Sequence, residues 1–223
     1  MDKDIIKRIG QVVATFVLQG LLLFVFAGTL SWSWAWVFLM LEMVALIINY
    51  RVLPREVIAE RGREKKNVKP WDRILMGISI VPALGVYALS GLDFRLSWSP
   101  YFSFYYHIIG LVILLLGSML FTWSMVSNKF FSTMVCIQEE GVHRIAEAGP
   151  YRHIRHPGYV GYILMSIATP IALGSGYALL MSFPVMIIFI IRTGLEDKTL
   201  LSELNGYKKY AQKVKYRLVP FLW

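Results

Sequence analysis

Two short stretches of this 223-residue chain carry residues whose types and spacing suit chemistry. The first is Gly149-Pro150-Tyr151-Arg152-His153-Ile154-Arg155-His156-Pro157-Gly158-Tyr159-Val160-Gly161, set between hydrophobic segments. Ionisable side chains at the edge of a bilayer are expensive to keep there, so they mark a candidate site. Pro157 disfavours helix at His156 and suits the first position of the helix that follows. The backbone before it is therefore expected to be extended, with its amides free for a ligand. Gly158 and Gly161 permit close approach, while Tyr151 and Tyr159 offer faces that cover a flat ring. A nucleotide-like cofactor fits this set. The second stretch is Arg192-Thr193-Gly194-Leu195-Glu196-Asp197. Arg192 and Glu196 share a face if the preceding apolar segment stays helical through them. Spacing alone leaves two readings open. One is an intrahelical ion pair at a membrane exit. The other is a working pair, in which the carboxylate holds an amino or hydroxyl group and the arginine holds an anion. Asp197 points elsewhere on such a helix and reads as interfacial charge.

Several other chemistries fail on residues. No Gly-rich phosphate loop of either common kind is present. No His-Glu-x-x-His occurs, and His107, His143, His153 and His156 lack the spacing of a zinc site. Cys136 is the single cysteine, which rules out an internal disulfide and a multi-cysteine metal centre. Its neighbours Met134, Val135 and Ile137 make it a packed apolar position rather than a nucleophile.

The elements that must position these residues are membrane helices. The chain is 57% hydrophobic and 17% charged, with a mean hydropathy of +0.55; soluble domains sit near 45–50% apolar and about 25% charged. Apolar runs are expected at about Ile9 to Leu30, from after the Ser31–Trp36 turn to about Leu53, at Ile74 to Leu92 and at Tyr105 to Val126, each long enough to cross a bilayer. Glu42 lies inside the second and is expected to face neighbouring helices. Two shorter apolar helices, Ile163 to Leu173 and Tyr177 to Ile191, are joined by Gly174-Ser175-Gly176 and should form a hairpin. Beyond Glu196, Leu200, Leu201, Leu204, Tyr207, Tyr210 and Val214 recur at helical spacing, with Asn205-Gly206 as an interruption. The expected fold is all-α and polytopic: about six transmembrane helices, the last two a short hairpin, and then an amphipathic cytoplasmic helix. Residues 1–126 form the N-terminal spans and 127–223 the ligand-binding connector, hairpin and final helix, in one integrated domain.

Net charge is +9, and the basic residues cluster between spans. That pattern suits anionic lipid head groups rather than nucleic acid. The N-terminus, Arg51–Arg73, Ser127–Pro157 and the C-terminal tail are rich in Lys and Arg, whereas the Trp32–Trp36 turn, Asp93–Tyr106 and Gly174–Gly176 are not. The positive-inside rule then predicts that both termini and both candidate stretches are cytoplasmic. The Arg51–Arg73 connector reads as a lipid-contacting loop, within which an amphipathic helix is allowed. His107, at a span's start, reads as an interfacial residue.

The sequence resembles the isoprenylcysteine carboxyl methyltransferase family and its phospholipid methyltransferase relatives. Gly149-Pro150-Tyr151, Arg155-His156-Pro157-Gly158-Tyr159-Val160-Gly161 and Arg192-x-x-x-Glu196-Asp197 carry the resemblance. It continues in Gly206-Tyr207-x-x-Tyr210 and Arg217-Leu218-Val219-Pro220. The N-terminal spans match in hydrophobic character only. The resemblance implies S-adenosylmethionine bound at the cytosolic side by the last helices and the connector before them. The contacts it implies come from Gln138, His143, Arg144, Ile145, Ala146, Tyr151, His156, Pro157, Gly158, Tyr159 and Glu196. Arg192 corresponds to a family arginine associated with the acceptor. Two departures, the short Leu195-Glu196-Asp197 run and a Leu204–Tyr207 segment one residue short, bear on the acceptor more than on the cofactor. The implied activity is methylation of a lipophilic acceptor entering from the bilayer, an isoprenylcysteine-like carboxylate first and a phospholipid amine second. An NADPH-dependent sterol-type membrane reductase and a non-catalytic scaffold are the readings from other classes.

Overall fold

Asp2 accepts the backbone N–H of Asp4 and so caps α1, Lys3–Ala27. The rest follows as α2 (Ser33–Val52), α3 (Arg55–Gly62), α4 (Pro70–Leu96), α5 (Phe104–Ser127), a 3-10 turn (Gly149–Arg152), α6 (Pro157–Leu173), α7 (Gly176–Glu203) and α8 (Tyr207–Lys213). The computed structural model describes residues 2–65, 67–136 and 145–223, and among these there is no strand. Five helices, α1, α2, α4, α5 and α7, are long and apolar enough to cross a membrane. The shorter α6 has 17 residues, about 25 Å at 1.5 Å per residue. Val13, Val17, Leu21 and Val25 recur every fourth residue on α1 and are all exposed. In water such an apolar stripe is untenable, whereas in a bilayer it is the lipid-facing surface. The protein is a multi-pass, all-α membrane protein.

Small residues let the helices approach. A Cβ on Gly110 of α5 would lie 2.3 Å from the Ala172 backbone nitrogen of α6. One on Gly161 would lie 2.7 Å from the carbonyl oxygen of Gly117, and the reverse contact is 2.9 Å. Packing through small residues replaces the hydrophobic drive that lipid does not supply. Between the flanking helices, the Ser182 hydroxyl donates to the Ser166 carbonyl at 2.6 Å. Gly110→Ala is expected to destabilise the protein by about 1–3 kcal/mol, the range for overpacking. Thermal unfolding in detergent measures it, with Gly77→Ala, which meets nothing within 4 Å, as the control that leaves the midpoint unchanged.

Three differences from expectation stand out. The second hairpin arm does not stop at the end of its apolar run. It continues to Glu203, carrying Arg192, Glu196 and Asp197 on one rigid helix. The connector helix α3 does form, but its apolar face packs on α1 through Ile5, Ile58 and Ala59 rather than on lipid. His107 is likewise buried, stacked on Trp34 with ring centres 4.1 Å apart, and its Nδ1 lies 2.8 Å from the Ala172 carbonyl oxygen. Asn205-Gly206 interrupts as expected: Gly206 has φ +84 and starts α8.

Candidate functional site

The C-terminal end of α7 meets the chain on either side of residues 137–144, and a cavity opens between them. Ile145, Ala146, Tyr151, His156, Gly158, Tyr159, Arg192 and Glu196 all line it. Pro157 is fully buried as the first residue of α6 and turns the chain without lining the cavity. Gln138, His143 and Arg144 lie outside the described residues. Sequence reasoning missed the rest of the wall, which includes Asn128, Phe130, Phe131, Met134, Leu200 and Leu204. Cys136 also lines it, and burial raises its thiol pKa.

Arg192 and Glu196 do not pair with each other. Arg192 Nε donates to Asp72 Oδ1 at 2.7 Å, and its Nη2 donates to Asp72 Oδ2 at 3.2 Å and to the Thr133 carbonyl at 3.1 Å. Asp72, in the first turn of α4, is fully buried and also accepts the Val135 amide at 2.7 Å. One carboxylate therefore locks α4, the connector and α7 together and fixes the guanidinium over the Tyr159 ring, 5.1 Å from its centre. Arg192 Nη1 makes no hydrogen bond among the described residues. Glu196 instead accepts a hydrogen bond from the Tyr159 hydroxyl, so both members of the pair face the cavity with capacity to spare. Asp72 gave no signal in sequence, because an acidic residue in a helix's first turn is ordinary.

Asp197 overturns its reading as interfacial charge. It is fully buried and accepts from Arg155 Nη2 at 3.0 Å, Arg217 Nε at 2.9 Å and the Tyr207 hydroxyl at 2.9 Å. Helical rotation points it away from Glu196, as expected, but into the protein. Burial first, and then the charge of Asp197, pushes the Tyr207 phenol up, so it remains a hydrogen-bond donor. The hub ties the Arg155-His156 backbone to α7, α8 and the tail.

The same tail corrects the expectation of free amides. The Arg155 and His156 N–H groups donate to the carbonyls of Tyr216 and Arg217, both at 2.9 Å. Buried backbone donors must find partners, and the Tyr216-Arg217 segment supplies them. What remains open is a side-chain atom: His156 Nε2 is buried without a hydrogen bond, 3.5 Å from Asp197 Oδ1. The glycines serve the protein's own packing. A Cβ on Gly158 would meet the Phe131 ring at 2.7 Å. Gly149 has φ +58, and its missing Cβ leaves room for the Ser127 hydroxyl.

Fold and site together define a polytopic helical membrane protein with a polar, aromatic-walled cavity at one end of its bundle. Residues 108–202 match the model of the Isoprenylcysteine carboxyl methyltransferase (ICMT) family. The chain is similar to a probable protein-S-isoprenylcysteine O-methyltransferase of Oryza sativa subsp. indica, 28% identical over 117 residues, 51% of this chain and 61% of that protein. It is also similar to a protein-S-isoprenylcysteine O-methyltransferase of Schizosaccharomyces pombe, 31% identical over 112 residues, 49% of this chain and 48% of that one. These matches thus span less than two thirds of either relative. The fold is that of a solved structure of the eukaryotic intramembrane Ras methyltransferase ICMT, with a TM-score of 0.57 and 20% identity, over 96% of this chain and 76% of that one.

Proposed function

We propose that this protein is an integral membrane, S-adenosylmethionine-dependent methyltransferase acting on the carboxylate of a lipophilic, isoprenylcysteine-like acceptor. One observation carries the reading: within the family-matched segment, Arg192 and Glu196 turn toward one cavity and are held there by Asp72 and Tyr159 rather than by each other. The donor set suits a nucleoside bearing an amino-acid tail. Glu196 has acceptor capacity beyond its bond from Tyr159, and His156 Nε2, 3.5 Å from Asp197 Oδ1, makes no hydrogen bond among the described residues. Tyr151, Tyr159, Ile145 and Ala146 supply rings and apolar wall. Gln138, His143, Arg144 and Gly158 complete the proposed cofactor set, while buried Pro157 acts only by turning the chain into α6.

When bound, the cofactor supplies a methyl group on a positively charged sulfur, open to in-line displacement. A carboxylate acceptor is already ionised, so no base is needed, and Arg192 could not act as one because it stays protonated. The chain's task is alignment and exclusion of the water that would solvate the nucleophile. Arg192, held from behind by Asp72, directs Nη1 to the acceptor anion; Glu196 anchors the cofactor; Phe130, Phe131 and Tyr159 wall the reaction from solvent.

The basic N-terminus, α3 and the tail cluster at the end of the bundle that bears the cavity. By the positive-inside rule this end, with both termini, is cytoplasmic, where anionic lipids meet the basic residues. Residues 1–126 form the acceptor's route from the bilayer and 127–223 the cofactor half. Transfer of a labelled methyl group to an S-isoprenyl N-acylcysteine tests the reading. The expected product is a base-labile methyl ester. Arg192→Ala should lower turnover more than about 10-fold, as loss of a charge-assisted hydrogen bond does; because it also leaves Asp72 buried without its partner, Arg192→Lys, which keeps a cation there, separates lost turnover from lost folding. Label in phospholipid alone, or full turnover by Arg192→Ala, refutes it.

A further inference from the structure

Arg192 has its anion built in, but a second arginine beside the cavity does not. Arg61, in α3, places its guanidinium carbon 5.3 Å from the ring centre of Phe131 and 5.6 Å from that of Phe121. Phe131 lines the cavity and packs on Gly158 in the first turn of α6. Nearby carboxylates are committed elsewhere: Glu60 to Arg63 and Lys65, Asp4 to Arg63, Asp72 to Arg192. Among the described residues Arg61 has no ion pair. Aromatic faces offset part of a guanidinium's desolvation, but the half-buried Arg61 has no anion among the described residues to offset the rest. Burial, then the charges of Arg8 and Arg192, pulls Arg61 down to about 9. The side chain is held as a cation in a place where an anion from outside would relieve it.

We infer that Arg61 is a specificity-determining residue that, with Arg192, receives the carboxylate of the lipophilic acceptor at the wall formed by Phe131. This rests on the proposed acceptor class. It adds that discrimination between a carboxylate and a neutral head group resides in α3, outside the segment that matches the family.

The test measures binding of an S-isoprenyl N-acylcysteine and of its carboxamide to the full-length protein in nanodiscs, for wild type, Arg61→Gln and Arg61→Lys. S-adenosylhomocysteine affinity is measured on each as the check of folding. Wild type is expected to prefer the carboxylate by about 10- to 100-fold, in line with a charge-assisted hydrogen bond. Arg61→Gln should lose most of that preference and Arg61→Lys should keep part of it, with S-adenosylhomocysteine affinity within about twofold. An Arg61→Gln variant that keeps the full preference, or one that loses only affinity for anionic lipid, overturns the assignment while leaving the acceptor class intact. A wild type without carboxylate preference overturns both. If Arg61→Gln no longer binds S-adenosylhomocysteine, the lysine variant decides: a preference equal to wild type refutes a bidentate role.

Discussion

Asp197→Ala is expected to destabilise the protein by about 3–5 kcal/mol, the scale for stripping one partner from a buried ion pair. The carboxylate is fully buried, and Arg155 is nearly so. Removing it leaves two guanidinium groups, those of Arg155 and Arg217, without their shared acceptor, together with the Tyr207 hydroxyl. For a chain of this size the loss corresponds to a midpoint lower by about 10 °C, read by thermal unfolding in detergent. Asp197→Asn keeps the acceptor for Tyr207 but not the charge, and should fall between. The variant should also weaken ligand binding, because the hub holds the Arg155-His156 backbone against the tail. An unchanged midpoint in Asp197→Ala would mean that the hub does not hold this end of the bundle together.

Glu196→Ala is expected to act in the opposite way, with stability kept and ligand lost. Glu196 is only partly buried, and among the described residues its one hydrogen bond is that from the Tyr159 hydroxyl. Folding therefore asks little of it. A nucleoside hydroxyl or amino group on a carboxylate is a charge-assisted contact of about 1.5–3 kcal/mol, which corresponds to roughly 10- to 150-fold in affinity. Glu196→Gln, which keeps a carbonyl acceptor, should lose less. A loss of stability in Glu196→Ala as large as that in Asp197→Ala would show that the two adjacent carboxylates share one structural role.

The contrast between these neighbours marks how far the sequence could be read. The apolar runs located each long helix, since hydrophobic length is a local property, but not where α1 and α6 begin or where α7 ends. Pro157 placed the start of α6, and Asn205-Gly206 the break before α8, because backbone restrictions are local as well. Pairing is not. Asp72 and Arg192 are 120 residues apart, and nothing near either one announces the other. Helical geometry correctly turned Asp197 away from Glu196, but it could not say whether that direction led to lipid, water or protein. The amides before Pro157 looked available because their acceptors come from Tyr216 and Arg217, which only the folded tail brings near. The connector read as a lipid-contacting loop in which a helix was only allowed; α3 forms there because α1, distant in sequence, covers its apolar side.

The central claim is that this cavity binds a sulfonium-type methyl donor, and calorimetric titration of purified protein with S-adenosylhomocysteine, beside NADPH, tests it most directly. The account predicts binding of S-adenosylhomocysteine that Glu196→Ala weakens roughly 10-fold or more, with no heat from NADPH. A folded wild type that binds NADPH but not S-adenosylhomocysteine, or neither, would contradict it.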